Sequence, residues 1–133
     1  MPADLEQMDD RRILVVDDQQ MIVTLIERIL EREGFTAVSG TSDPSTARGR
    51  CERDVPDLLI VDLGMPAIDG IALLEQLRPG DRLPTPLAVL VVSGEDRTSA
   101  RAARARAAGA TDVLEKPFSA AQLVAAVHGA LGD

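Results

Sequence analysis

The chain has 133 residues and a formal net charge of −8, from 14 Lys+Arg against 22 Asp+Glu. It is about one domain long, and 45% apolar residues suit a packed core rather than a disordered segment. One cysteine, one histidine and no Trp or Tyr exclude a disulfide framework, a zinc site of thiolates or paired imidazoles, and a base-stacking surface, while the negative charge argues against nucleic-acid binding.

Residues 1–11 are polar and acidic and read as a flexible N-terminal arm; the start, Met1-Pro2-Ala3-Asp4-Leu5-Glu6, is too acidic for a secretory signal. Ile13-Leu14-Val15-Val16 is a short apolar run of the kind buried on both faces of a parallel sheet, and Asp17-Asp18 ends it. Ile22, Leu25, Ile26, Ile29 and Leu30 then recur at helical spacing between Gln19 and Glu33, and Gly34 fits the helix stop. Residues 35–39 make a weaker strand, and Asp43-Pro44 is a cap with a first-turn proline opening a helix to about Arg53. Asp57-Leu58-Leu59-Ile60-Val61-Asp62 is the second buried strand. Gly64-Met65-Pro66 and Asp69-Gly70 break the chain before a helix carrying Ile71, Leu74 and Leu77, which stops at Pro79-Gly80. Pro84-Thr85-Pro86 precedes a strand over 87–92 that ends in Ser93-Gly94. The Ala- and Arg-rich stretch 97–108 is helical up to Gly109, residues 111–115 form a last strand before Lys116-Pro117, and 119–131 form the final helix, with Leu123, Val124 and Val127 inward. Five strands alternating with five helices make an α/β fold with a parallel sheet covered on both faces. No apolar run approaches the ~20 residues of a membrane-spanning helix.

In such sheets ligands bind beyond the carboxyl ends of the strands. The residues there are Asp17, Asp18, Asp62, Ser93 and Lys116. Crowded carboxylates need a counter-charge, and Mg²⁺ suits a few carboxylates completed by water. The pattern predicts a Mg²⁺ site with a lysine and a hydroxyl placed for a phosphate.

Val15-Val16-Asp17-Asp18, Val61-Asp62-Leu63-Gly64-Met65-Pro66 with Asp69-Gly70, Ser93-Gly94 and Lys116-Pro117-Phe118 resemble, in order and spacing, the receiver domain of bacterial response regulators. The resemblance covers residues 12–131 and implies a (βα)5 CheY-like, flavodoxin-like fold with strand order 2-1-3-4-5. It implies that Asp62 is the phosphoacceptor, attacking a phosphohistidine to form an acyl phosphate. Asp18, Asp62 and the backbone carbonyl of Gly64 would hold Mg²⁺ directly and Asp17 through water. Lys116 would pair with Asp62 and then with the phosphoryl oxygens, Ser93 would turn its hydroxyl to the phosphoryl group, and Pro117 would follow a cis bond. A histidine kinase or phosphotransfer protein would be the donor, docking on Met21, Ile22, Leu25, Pro117 and Phe118, with Val23 beside them. The protein is then a cytoplasmic signalling domain that catalyses only its own phosphorylation and dephosphorylation, without an output domain of its own. It would act on a protein target as a switch or relay, as a monomer or a phosphorylation-dependent dimer, with no nucleic acid or membrane partner. The alternative is a receiver cut from a larger regulator with an enzymatic or DNA-binding output.

Three positions depart from the family pattern. Val113 stands where the family often has Tyr or Phe, and a valine has no ring to swing. Gly64 and Glu95, two residues after Asp62 and Ser93, occupy positions that tune acyl-phosphate lifetime in the family; an open Gly64 admits water and Glu95 adds negative charge. Gly64 also removes the second aspartate that haloacid-dehalogenase-like phosphohydrolases need, and Asp17-Asp18-Gln19-Gln20 would repel the phosphate of a flavodoxin-like carrier. A degenerate, binding-only receiver does not fit five intact site residues. Arg97, Arg101 and Arg104 read as a solvated helix face rather than a site for an acidic partner, His128 as structural, and Cys51 as an inert half-buried residue.

Overall fold

The structure, a computed structural model, describes residues 8–65, 69–77 and 87–133. The arm residues 1–7, Pro66, Pro79-Gly80 and Pro84-Thr85-Pro86 lie outside the described residues.

The apolar runs pair side by side because each hides side chains on both faces. Strands β1 (Asp9–Val16), β2 (Phe35–Thr41), β3 (Leu58–Val61), β4 (Ala88–Ser93) and β5 (Asp112–Glu115) form one parallel sheet in the order β2-β1-β3-β4-β5. Successive residues alternate between two cores, as the two-residue period of a strand requires. Leu14, Val16, Leu59, Val61, Val89 and Val91 face Ala47 and Cys51 of α2 (Ala47–Asp54), Ile71 and Leu74 of α3 (Gly70–Gln76) and Ala102 and Ala105 of α4 (Ala100–Ala107). Ile13, Val15, Leu58, Ile60, Leu90 and Val92 face Val23, Ile26 and Leu30 of α1 (Gln20–Arg32) and Leu123 and Val127 of α5 (Ala120–Leu131).

The caps explain most helix ends. Asp43 accepts the Ser45 N–H and opens a 3-10 turn, Pro44–Thr46, ahead of α2. Ser99 accepts the Ala102 N–H at the start of α4, and Ser119 with Gln122 closes a capping box on α5. Gly34 and Gly109 adopt φ of 108° and 117° where α1 and α4 give way to strands.

Four expectations need correction. The sheet begins at Asp9, so residues 9–11 are not part of an arm; the Asp9 N–H reaches the Gly34 carbonyl, and Arg11 is clamped between Asp9 and Asp133. Helix α4 begins at Ala100 rather than 97, because Asp96 binds Thr98 in a turn that leaves Arg97 ahead of the helix. Val23 is fully buried while Leu25 is 47% exposed. The cause is Gly40 of β2, where a Cβ would collide with Cγ1 of Val23, so α1 sits on the sheet through that residue. Cys51 is fully rather than half buried, and burial pushes its thiol up to about 12.

This packing has three testable consequences. Cys51 should resist a thiol reagent at pH 8 in the native protein and react at once in denaturant; rapid native labelling would contradict its burial. Gly70 opens α3 against the end of β3, and a Cβ there would meet the Asp62 carbonyl oxygen and lie 2.9 Å from Leu63 Cα. Gly70→Ala should therefore lose roughly 1–3 kcal/mol in denaturant melts. Gly49→Ala, in an exposed and open stretch of α2, should gain up to about 1 kcal/mol.

Candidate functional site

Asp17, Asp62 and Ser93 are the buried polar residues among those described, and all three end strands at one edge of the sheet. Burying charge is unfavourable without partners, so their placement together demands an explanation. The sheet order supplies the first part of it. β1 and β3 are neighbours, and the Asp62 N–H extends their ladder to the Val16 carbonyl at 3.2 Å. Asp18 follows directly, half-buried. One carboxylate oxygen from each of Asp17, Asp18 and Asp62 lies within 4.8 Å of the others.

Lys116 closes the cluster. It leaves β5, and its backbone N–H donates to the Ser93 carbonyl at 2.8 Å. Its Nζ reaches across to Asp17 Oδ2 at 2.8 Å and Asp62 Oδ2 at 3.2 Å. The Lys116-Pro117 bond is cis. Burial raises the Asp17 carboxyl above its ordinary value, against the hydrogen bonds from Lys116 and the Gln19 backbone. Burial pulls on Lys116 the other way, yet the bond to Asp17 and the charges of Asp62 and Asp17 hold its ammonium above the usual lysine range. Lys116 is therefore a fixed cation at neutral pH.

The same local turn aims three of these side chains. Asp17 Oδ1 accepts the Gln19 N–H at 2.9 Å, Asp62 Oδ1 the Gly64 N–H at 3.1 Å, and Ser93 Oγ the Glu95 N–H at 3.2 Å. Each residue bonds the backbone two positions on, which pins the side chain where the strand breaks into its loop. Asp62 thus has one oxygen on the backbone and one on Lys116. Gly64 is exposed, and a Cβ there would meet nothing within 4 Å, so the approach to Asp62 is open at that point.

The remaining residues singled out from sequence divide. Met21 is 84% exposed, and Leu25 and Pro117 are exposed beside half-buried Ile22 and Phe118, which both pack on the α1–α5 core. Val23 is inside and cannot join a docking surface. Val113 is buried in the core that also takes in Ala102 and Ala105 of α4, and it pairs with Val91. His128 sits in α5, its ring 5.6 Å from that of Phe35 and its Nδ1 2.8 Å from Asp133, away from the carboxylates. Arg97 and Arg104 are exposed, as a solvated face requires, whereas Arg101 is half-buried. Arg97 pairs with Asp112 at 3.3 Å. Arg101 donates from Nη2 to the Leu63 carbonyl at 3.1 Å and to Asp69 at 3.0 Å. Nothing in the local sequence marks Arg101; its spacing looks like any polar helix stripe, and only the docking of α4 beside the β3–α3 loop gives it partners.

The chain is similar to known proteins in sequence and fold. A family model for the response regulator receiver domain matches residues 13–128. The alkaline phosphatase synthesis transcriptional regulatory protein PhoP of Bacillus subtilis is 35% identical over 122 residues, 92% of this chain and 49% of that protein. The response regulator MprA of Mycobacterium ulcerans is 39% identical over 121 residues, 90% of this chain and 50% of MprA. The chain spans about half the length of these relatives. Among solved structures, a response regulator signal receiver domain from Bermanella marisrubri superposes with a TM-score of 0.81 at 34% identity, covering 92% of this chain and 99% of that one. A CheX–CheY–BeF3–Mg complex from Borrelia burgdorferi, at 21% identity and a TM-score of 0.82 over 93% of this chain and 95% of that one, shares the fold. The match over most of its length places the chain in the response regulator receiver domain family of two-component systems.

Proposed function

We propose that the domain accepts a phosphoryl group on Asp62 from a histidine kinase or histidine phosphotransfer protein. The observation that carries this reading is the lysine clamp: Lys116 Nζ within 3.2 Å of Asp62 and 2.8 Å of Asp17, at the carboxyl edge of the sheet. In the transfer an Asp62 oxygen forms the new O–P bond as the P–N bond to the donor imidazole breaks, and the imidazole keeps the electron pair. Such transfers need little covalent chemistry from the protein beyond positioning and charge. Lys116 holds the Asp62 carboxylate in place as nucleophile and then faces the incoming phosphoryl oxygens. Ser93 turns its hydroxyl to donate to one of them.

The residues fit Mg²⁺, on which receiver domains generally depend. Three carboxylates within 4.8 Å against one ammonium leave two negative charges, which a divalent cation balances. Asp18, Asp62 and the Gly64 carbonyl would hold it directly and Asp17 through water. When bound it would offset the charge on the transferring oxygens.

The family makes this a signalling domain rather than a conventional enzyme, and the only chemistry we assign is on its own aspartate. We propose a cytoplasmic protein that meets its donor on the exposed face of Met21, Leu25 and Pro117, with Ile22 and Phe118, and passes the state of Asp62 to a protein target as a switch or relay. Because Val113 cannot swing a ring, the readout lies with Ser93 and the loop after it. The half-length match to PhoP and MprA favours a second reading, a receiver within a longer regulator whose output lies elsewhere.

Incubation with Mg²⁺ and acetyl phosphate should add about 80 Da, one phosphoryl group, in an alkali-labile form. Asp62→Asn should not take it up; uptake at the wild-type rate would remove Asp62 from the role. Mg²⁺ at one hundred times its Kd should stabilise the wild type by about 2.7 kcal/mol. Asp18→Asn should abolish that gain, and an unchanged gain would contradict the proposed ligand set.

A further inference from the structure

Arg101, in the first turn of α4, touches three described residues beside the site: Leu63, Asp69 and Glu95. Nη2 donates to the Leu63 carbonyl and to Asp69 Oδ1, and Nη1 lies 3.8 Å from Glu95 Oε1. Each contact reaches a defined part of the site. Leu63 is the residue after Asp62, and its carbonyl also accepts the Gly70 N–H at 3.3 Å. Asp69 caps α3 by accepting the Ile71 N–H at 2.9 Å. Glu95 donates its N–H to Ser93 Oγ. One planar cation therefore ties the loop after β3 to the loop after β4 and anchors both to α4.

Exposed ion pairs alone contribute little. The bond to Leu63 differs, because it is a charge-assisted bond to the backbone of a fully buried residue next to the phosphoacceptor. A guanidinium can hold Leu63 and Asp69 with one nitrogen while the other follows Glu95, a division that a lysine ammonium cannot reproduce. The Ser93 hydroxyl oxygen is presently engaged by the Glu95 N–H. Turning Ser93 toward a phosphoryl group disturbs that bond, shifts Glu95, and so changes what Arg101 grips.

We propose that Arg101 is a positioning residue that carries the state of Asp62 to α4, through its grip on Leu63, Asp69 and Glu95, in place of the aromatic ring that Val113 does not provide. The inference rests on the reading of Asp62 as phosphoacceptor and Ser93 as the hydroxyl that turns to it.

The test is backbone amide hydrogen exchange across α4, with and without Mg²⁺ and beryllofluoride as the phosphoryl mimic, on the full chain. In the wild type, exchange in α4 should change by about fivefold or more on adding the mimic. Arg101→Ala and Glu95→Gln should still bind beryllofluoride, with α4 rates changing less than about twofold, and Arg101→Lys should fall between. Glu95→Gln, at a 39% exposed side chain, decides the matter if Arg101→Ala fails to fold. A wild-type response of α4 in both Arg101→Ala and Glu95→Gln overturns the inference, as does a wild-type α4 that ignores the mimic. Phosphate uptake from acetyl phosphate separates the two failures: uptake by wild type but not by Asp62→Asn leaves the phosphoacceptor reading standing while the role of Arg101 falls.

Discussion

Two carboxylates that end neighbouring buried strands repel one another out of water unless a cation stands between them. Here that cation is Lys116, held against Asp17 and Asp62 from the far side of the sheet. The strand order places β5 two strands from β3, so the reach of a lysine side chain joins three strand ends into one site. On the proposed reading, the charge left over after Lys116 suits the pocket to a divalent cation and then to a phosphoryl group. Both cores, the caps and the close approach of Gly70 to the Asp62 carbonyl serve to hold those strand ends in place.

The site combines parts fixed on central strands with a part that leads into a loop. Asp17 and Asp62 stand on central strands and are fixed by backbone N–H groups two residues on. Ser93 has the same turn, but its partner Glu95 belongs to a loop that leads into α4. A change at Asp62 therefore has its easiest exit through the loop after β4. Val113, buried in the core, offers no alternative route by ring rotation. Arg101 bridges that loop and the one beside Asp62, which makes α4 the natural place to read the state of the site.

The sequence revealed the strands and the carboxylate cluster because both obey simple constraints. A strand covered on two faces must be apolar throughout, so Ile13–Val16 and Leu58–Val61 stand out, and the polar residues that end them must lie at the sheet edge. Local patterns failed where tertiary packing chose among equals. Helix α1 carries apolar residues over a broad arc, and only the bare backbone at Gly40 selects Val23 over Leu25 for the interior. Residues 9–11 look like a polar arm because an edge of the sheet and the Asp9–Arg11–Asp133 clamp, rather than a core, hold them. Arg101 was illegible for a related reason: its partners are a backbone carbonyl and two acids from other loops, 38, 32 and 6 residues away in the chain.

The central claim is that the carboxylate clamped by Lys116 is the one that takes the phosphoryl group. Borohydride reduction of the phosphorylated protein, followed by peptide mass spectrometry, tests it most directly, because an aspartyl phosphate is reduced to homoserine at the residue that carried it. The account predicts homoserine at position 62, dependent on prior phosphorylation and absent at positions 17 and 18. Homoserine at 17 or 18, or phosphate retained on Ser93 or His128 with position 62 unmodified, would contradict it.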